Sequence, residues 1–159
     1  MTIAVYPGTF DPITEGHLDI ARRASTIFEK LVIGIHDKPD KQVLFSVDER
    51  LSLVEETVRD LPNVCVESFG DLTIDFIHRV KGDVMVRGLR AISDFERELA
   101  MAMMNKKLAA DIELVCLMTS SRFLFISSSV IKEIAKLGGS VRGLVPDNVA
   151  VALTKKFLK

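Results

Sequence analysis

A glycine- and proline-rich loop near the start of the chain carries residue types that could bind a phosphate. It reads Gly8-Thr9-Phe10-Asp11-Pro12 and leads to Thr14-Glu-Gly-His17. Thr14 is a good helix N-cap, which would place His17 in the first turn, beside unpaired amides and the positive end of the helix dipole. An anion is favoured there. A T-x-G-H pattern alone could be a histidine at an ordinary helix start, but the loop ahead of it favours the anion site.

Two arginines and three serines supply further groups of the same kind. Arg87-Gly-Leu-Arg90 follows an apolar run, and two guanidiniums around a predicted glycine turn would form a fork for phosphate. Ser127-Ser-Ser129 precedes a helical pattern and offers hydroxyls beside unpaired amides. Each pattern has an ordinary alternative: two surface arginines in a loop, and routine N-capping by Ser127.

An acidic run is followed by a methionine-rich run. Ser93 and Glu96 form a capping-box pattern, so we interpret Asp94 and Glu96 as mainly structural. The pattern assigns no role to Glu98. The run from Leu99 to Asn105 is rich in methionine, which favours a core helix; the alternative is a pocket wall or a subunit contact.

Short apolar runs alternate with amphipathic runs along the chain, which predicts alternating strands and helices. Because the apolar runs do not alternate internally with polar residues, they indicate a parallel sheet with helices on both faces. The length predicts one domain over residues 1–159. The predicted strands cover residues 3–6, 31–35, 64–66, 83–87 and 112–117, and the predicted helices begin near Thr14, Ser46, Asp71, Ser93, Ser127 and Pro146.

Ligands of such sheets bind outside the carboxyl ends of the strands. The candidate site residues should therefore follow strands, and they do. They are Thr9, Phe10, Lys41, Arg87, Arg90 and the segment after Leu117.

The composition excludes several classes of protein. With a net charge of −1, the chain lacks the basic balance typical of a nucleic-acid partner. Cys65 and Cys116 share no CxxC spacing, which favours buried free thiols in a reducing cytoplasm. The start lacks a basic n-region, and no run approaches the ~20 apolar residues of a membrane span. We therefore expect a cytoplasmic protein with no leader and no membrane contact.

Several familiar motifs are missing from the sequence. There is no GxxxxGK[ST], no GxGxxG after the first strand and no GxSxG, so a P-loop, a nicotinamide or flavin cofactor and a hydrolase elbow are not predicted. His36 and His78 have no zinc-ligand spacing.

At this point the residues suggest a family. The run Tyr6-Pro-Gly-Thr-Phe-Asp-Pro-Ile-Thr-Glu-Gly-His17 resembles the signature of the nucleotidyltransferases with an (H/T)xGH motif. Together with Arg-Gly-Leu-Arg-Ala, Asp-Phe-Glu, Met-Asn and Phe-Ile-Ser-Ser-Ser, it is similar to the bacterial phosphopantetheine adenylyltransferases, from residue 3 to about residue 157.

The resemblance implies a Rossmann-like, doubly wound α/β fold with a five-stranded parallel sheet, and a homohexamer. The implied reaction joins ATP and 4′-phosphopantetheine to give dephospho-coenzyme A and pyrophosphate, within coenzyme A biosynthesis. Mg²⁺ would be held mainly by the ATP phosphates and water rather than by protein ligands. Coenzyme A is a candidate feedback ligand.

The resemblance also implies roles for residues. Thr9, His17, Lys41 and Arg90 would act in catalysis, with His17 stabilising the transition state. The acceptor phosphopantetheine would contact Thr9, Lys41, Leu72, Thr73, Arg87, Met104 and Asn105. ATP would contact Thr9, Phe10, His17, Gly88, Leu89, Arg90, Glu98, Phe123, Leu124, Phe125, Ile126, Ser127, Ser128 and Ser129.

Three positions depart from the family pattern. Arg97 stands where some members carry Tyr, Thr73 where some carry Met, and Phe123 where Trp is frequent. Two alternatives stay open: another small-molecule nucleotidyltransferase of the superfamily, and a non-catalytic nucleotide-binding module. A fragment of a class I aminoacyl-tRNA synthetase is disfavoured, since the chain is short and not basic.

Overall fold

The computed structural model describes residues 1–158, in which five strands alternate with helices. The strands are β1 (Ile3–Gly8), β2 (Lys30–His36), β3 (Val64–Phe69), β4 (Val84–Leu89) and β5 (Glu113–Met118). The helices are α1 (Glu15–Ile27), α2 (Val47–Val58), α3 (Thr73–Arg79), α4 (Ile92–Leu108), α5 (Ser128–Lys136) and α6 (Asp147–Phe157), with a short 3₁₀ helix over Ser121–Phe123.

The five strands form one parallel sheet in the order β3-β2-β1-β4-β5. This confirms the predicted doubly wound α/β sheet. The order reverses at β1, which pairs with β2 on one side and with β4 on the other. A crevice at such a switch point is where ligands of open α/β sheets bind.

Helices cover both faces of the sheet, as predicted. Successive strand residues point to opposite faces of the sheet. Ala4 and Val5, for example, are both fully buried but belong to different core clusters. The larger cluster holds the apolar sides of α1, α2, α5 and α6, and the smaller one holds α3. Burial on both faces explains why the strands read as continuous apolar runs.

Three of the predicted helix caps are present and one is wrong. Thr14 and Ser46 form capping boxes, and Ser127 accepts from the amide of Val130. The capping box predicted at Ser93 is absent, because the N-cap of α4 is Ala91, two residues earlier, and it forms no side-chain bond.

The Arg87-Gly-Leu-Arg90 segment is not the predicted glycine turn. Strand β4 continues to Leu89, which pairs with Met118 of β5. A Cβ on Gly88 would lie 3.1 Å from Cγ1 of Ile20, so this glycine allows α1 to pack closely on the sheet. The glycine thus serves packing between elements, which its immediate neighbours in sequence do not indicate.

The methionine-rich part of α4 is not the core helix that the pattern favoured. Met101, Met103 and Met104 are exposed, Met103 by 70%, and Glu98 is the buried residue of the helix. The alternative interpretation, a surface for another subunit or a ligand, therefore remains. No helix within residues 1–158 is long and apolar enough to cross a membrane.

Candidate active site

A pocket of about 680 Å³ lies at the carboxyl ends of the strands, at the point where the strand order reverses. The loops that follow β1, β2 and β4 form its walls, together with the N-terminus of α5. This arrangement confirms that the candidate residues after different strands meet at one edge. Those lining the pocket are Thr9, Phe10, His17, Lys41, Thr73, Arg87, Gly88, Arg90, Glu98, Ile126, Ser127, Ser128 and Ser129.

His17 is held in one orientation by the cap of its own helix. The backbone amide of Thr14 donates to Nδ1 of His17 at 3.1 Å, and the amide of His17 donates to Oγ1 of Thr14 at 3.3 Å. Since Nδ1 accepts a hydrogen bond, the ring proton of neutral His17 is on Nε2. The cap therefore leaves Nε2–H as the donor that the ring can offer to a ligand in the pocket.

The surroundings of His17 keep its ring neutral. Burial, followed by the positive charges of Arg90, Arg87 and Lys41, lowers the pKa of His17 to about 4. At neutral pH the side chain is a hydrogen-bond donor and not an imidazolium. The positive charge available to an anionic ligand comes from the neighbouring cations.

Phe10 shapes the floor of the loop in a way that the sequence did not indicate. Its φ is +48°, in the left-handed region, whereas Gly8 is not in that region. The ring of Phe10 packs edge-on against Tyr6 and His17. A Cβ on Gly8 would lie 2.9 Å from Cε2 of Phe10, so Gly8 gives that ring its space.

Arg87 is held by a carboxylate inside the pocket. Its Nε donates to Oε2 of Glu98 at 2.9 Å, its Nη2 donates to Oε1 at 2.7 Å, and its Nη1 donates to the carbonyl of Pro7 at 2.9 Å. Burial lowers the pKa of Arg87, but the hydrogen bond and the charge of Glu98, with smaller contributions from Tyr6 and Cys116, together raise it above the ordinary value. The sequence predicted two guanidiniums available to phosphate, but one edge of the Arg87 guanidinium is already held by Glu98. Glu98, to which the sequence pattern assigned no role, therefore has a defined partner.

Arg90 is held in a similar way from the other side. It donates from its backbone amide at 3.0 Å and from Nε at 3.2 Å to Oδ2 of Asp94, and from Nη1 to the carbonyl of Ile126 at 2.9 Å. Burial raises the pKa of Asp94, but the bonds and charge of Arg90 outweigh it and lower the pKa. Asp94, which we interpreted as mainly structural, therefore orients a pocket arginine, and Arg90 itself links its loop to the segment before α5.

Two pocket cations remain without an acidic partner. Lys41 and Arg97 line the pocket, and neither forms an ion pair within residues 1–158. Both residues are exposed. They are therefore the cations most available to an incoming anion.

The serines of α5 divide their hydroxyls between the helix and the neighbouring loop. Ser127 caps α5, and Ser128 donates from Oγ to the carbonyl of Pro12 at 2.8 Å. This second bond ties the N-terminus of α5 to the loop after β1. The amides of the first turn of α5 lie beside the pocket, as expected for an anion site.

Sequence reasoning missed two buried charged residues beside the site. Asp11 is 2% exposed, accepts from the amides of Leu44 and Phe45 at 2.9 Å each and pairs with Nζ of Lys132 at 2.6 Å. Arg50 is 1% exposed and bonds only to backbone carbonyls. Asp11 could have been suspected from its place in the glycine–proline loop, but nothing local distinguishes Arg50 from a surface arginine of α2.

His36, which has no zinc-ligand spacing, is a further polar residue of the pocket. His36 lines the pocket, and its buried Nδ1 has no hydrogen-bond partner within residues 1–158. Its ring packs edge-on against Phe69. His36 thus offers the pocket a polar atom that no group of the described chain satisfies.

Seven of the proposed contact residues do not line this pocket. Leu72 is 62% exposed, Met104 is exposed on α4, and Phe123 belongs to the 3₁₀ helix beside Gly16. Their proposed contacts stay predictions. The seven are Leu72, Leu89, Met104, Asn105, Phe123, Leu124 and Phe125.

The fold and the pocket define a doubly wound α/β protein with a cation-lined ligand pocket at its switch point, and comparison with known proteins gives its class. A family profile described as Cytidylyltransferase-like matches residues 5–134. A crystal structure described as "a Putative Nicotinate-nucleotide Adenylyltransferase" from Vibrio parahaemolyticus has the same fold. Its TM-score is 0.74 at 17% identity, over 97% of this chain and 99% of that one.

Sequence relatives narrow the class. The chain is 52% identical to the phosphopantetheine adenylyltransferase of Clostridium kluyveri over 159 residues, which are 100% of this chain and 97% of the relative. It is 54% identical to the phosphopantetheine adenylyltransferase of Thermomicrobium roseum over 157 residues, which are 97% and 94% of the two chains. The chain therefore belongs to the phosphopantetheine adenylyltransferase family, as the motifs predicted.

Proposed function

We propose that this enzyme transfers the adenylyl group of ATP to 4′-phosphopantetheine, giving dephospho-coenzyme A and pyrophosphate. The observation that carries the proposal is the neutral, oriented imidazole of His17 among Lys41, Arg87 and Arg90. Such a set supplies one directed donor and several positive charges to a group that gains negative charge. Phosphoryl-type transfer requires mainly this kind of positioning and electrostatic stabilisation.

The chemistry needs no activated side-chain nucleophile. A phosphate oxygen of phosphopantetheine attacks the α-phosphorus of ATP, and a new P–O bond forms. The bond from the α-phosphorus to the bridging oxygen breaks, and its electron pair leaves with pyrophosphate. Thr9 and His17 would stabilise the charge on the α-phosphate, with Nε2–H of His17 donating to an oxygen.

The two substrates would contact different walls of the pocket. The acceptor phosphate would meet Lys41 in the loop after β2 and the remaining edge of Arg87 on β4. The ATP phosphates would meet Arg90 and the amides of Ser127–Ser129 at the N-terminus of α5. The outer ends of both substrates would extend past the pocket toward the seven proposed residues that lie beyond it.

The nucleotide is expected to enter as its Mg²⁺ complex. No group of three or more His, Cys, Asp or Glu residues within positions 1–158 could hold a metal ion. Two pocket acids, Asp94 and Glu98, are engaged by arginines. We therefore propose that ATP phosphates and water provide most of the Mg²⁺ ligands, so that the ion belongs to the substrate.

A pyrophosphate-release assay tests the proposed reaction. The enzyme is incubated with MgATP and 4′-phosphopantetheine, with nicotinate mononucleotide and nicotinamide mononucleotide as alternative acceptors, and with CTP as alternative donor. We expect pyrophosphate release from ATP with phosphopantetheine and from no other pair of donor and acceptor. Release only with another acceptor would reassign the substrate, and no release with any pair would indicate a non-catalytic nucleotide-binding module.

We further propose a cytoplasmic homohexamer with coenzyme A as feedback ligand. The exposed apolar side chains of α4 support a subunit contact, and the number six comes from the family resemblance. Light scattering should give six times the 17.7 kDa chain mass. Coenzyme A contains the pantetheine arm, so it should raise the KM for phosphopantetheine.

A further inference from the structure

Arg50 is an arginine of α2 that lies in the interior instead of on the surface. It is 1% exposed and forms no ion pair within residues 1–158. Burying a charged group is costly unless its hydrogen bonds are made. Four hydrogen bonds are made here, and every acceptor is a backbone carbonyl.

These bonds join two loops that carry candidate site residues. Nη1 of Arg50 donates to the carbonyl of Thr9 at 2.8 Å and to that of His36 at 2.8 Å. Nη2 donates to the carbonyl of Asp37 at 3.3 Å, and Nε to that of Phe45 at 3.2 Å. One planar guanidinium therefore links the loop after β1 to both ends of the loop after β2.

Asp11 also links the two loops, as a hydrogen-bond acceptor where Arg50 is a donor. Its carboxylate accepts from the amides of Leu44 and Phe45, while Arg50 donates to the carbonyl of Phe45. The charges are complementary as well. Burial lowers the pKa of Arg50, and the negative charges of Asp11 and Asp37 partly offset this shift. The segment 36–45, which includes Lys41, is thereby fixed at each end to the loop that carries Thr9.

We propose that Arg50 is a positioning residue that sets the location of Lys41 relative to Thr9 without touching substrate. Arg50 does not line the pocket, so its effect passes through the backbone carbonyls. The kinetic part of this inference rests on the proposed function. A lysine could not replace Arg50 fully, because a single ammonium cannot span acceptors in two loops as a planar fork does.

Hydrogen exchange tests the linkage independently of any activity. The variants are Arg50→Met, Arg50→Lys and the control Arg59→Met, which changes an exposed arginine at the end of the same helix. Amide exchange of residues 37–45 should rise about tenfold or more in Arg50→Met, less in Arg50→Lys, and not in Arg59→Met, while the strands keep wild-type exchange. Unchanged exchange in segment 37–45, or a uniform rise over the whole chain, would overturn the inference.

Kinetics test whether the linkage acts on Lys41. Arg50→Lys and Arg50→Met should raise the KM for phosphopantetheine about tenfold and lower kcat, with the smallest change in the KM for ATP. In the double variant Arg50→Met with Lys41→Met, the KM for phosphopantetheine should rise no further than in Lys41→Met alone. Equal KM changes for both substrates, or additive effects, would overturn the inference. A wild-type enzyme that releases no pyrophosphate would refute the proposed function instead, and the exchange result would still decide the role of Arg50.

Discussion

The backbone amide of Thr14 donates to Nδ1 of His17 at 3.1 Å, so the residue that caps α1 also fixes the tautomer of the pocket histidine. Helix capping and orientation of the candidate catalytic group are thus one interaction. The helix N-terminus adds its own positive potential at the same place. His17 is therefore preorganised before any ligand binds.

Replacing His17 should remove most of the turnover and little of the fold. His17→Ala deletes the Nε2–H donor, and loss of one preorganised donor typically lowers kcat by about 10²–10³. Steady-state pyrophosphate release measures kcat, and circular dichroism checks the fold. His78→Ala is the matched control, because His78 lies exposed on α3 and pairs with Asp111. Near-normal kcat in His17→Ala would refute the role of His17.

The ring of His17 should titrate near pH 4 and not near its ordinary value of 6.5. Because the pKa is lower in the folded state, the unfolded chain binds a proton that the native protein does not. The stability that His17 contributes is therefore complete above pH 6.5 and is lost progressively as the pH falls from 6.5 toward 4. Ring-proton NMR gives the pKa directly, and a value of 6 or above in the free enzyme would contradict this environment.

Removing the charge of Lys41 should weaken acceptor binding selectively. Lys41→Met should raise the KM for phosphopantetheine more than the KM for ATP, by about tenfold or more, because a charge-assisted contact to phosphate is lost. Lys38→Met is the control, since Lys38 is exposed in the same loop and does not line the pocket. Equal changes in the two KM values would count against the placement of Lys41.

Neutralising Glu98 should loosen Arg87. Glu98→Gln leaves a side chain of the same size but removes the paired carboxylate that holds Nε and Nη2. We expect kcat/KM for phosphopantetheine to fall about tenfold to a hundredfold, because a misplaced guanidinium no longer meets the acceptor phosphate well. Glu96→Gln, an exposed acid on the same helix, should leave kcat/KM unchanged. Wild-type kinetics in Glu98→Gln would show that the pair does not position Arg87.

Local sequence signals were sufficient for the sheet and for the edge at which the candidate residues meet. The strands are buried on both faces, so their apolar runs are unambiguous, and the caps at Thr14 and Ser46 act within their own helices. The rule that ligands bind at the carboxyl ends of strands then brought the residues after β1, β2 and β4 together correctly.

What failed depends on distant partners. Gly88 looked like a turn because its packing partner, Ile20, lies far away in sequence. Arg87 and Arg90 looked like free phosphate ligands, although each is held by an acid of α4. The methionines of α4 carry the same apolar pattern whether a core or another subunit covers them. Periodicity within one element cannot distinguish these cases.

Because β1 is the central strand, the proposed substrate contacts come from loops on both sides of it. On the proposed assignment, Lys41 in the loop after β2 meets the acceptor phosphate, while Arg90 and the N-terminus of α5 meet the ATP phosphates. Arg87, held by Glu98 on the β4 side, is the proposed acceptor contact that lies outside the loop after β2. Exchanging the acceptor preference would therefore require the loop between β2 and α2 to be grafted together with the Arg87–Glu98 pair, while Arg90 and the start of α5 are left unchanged.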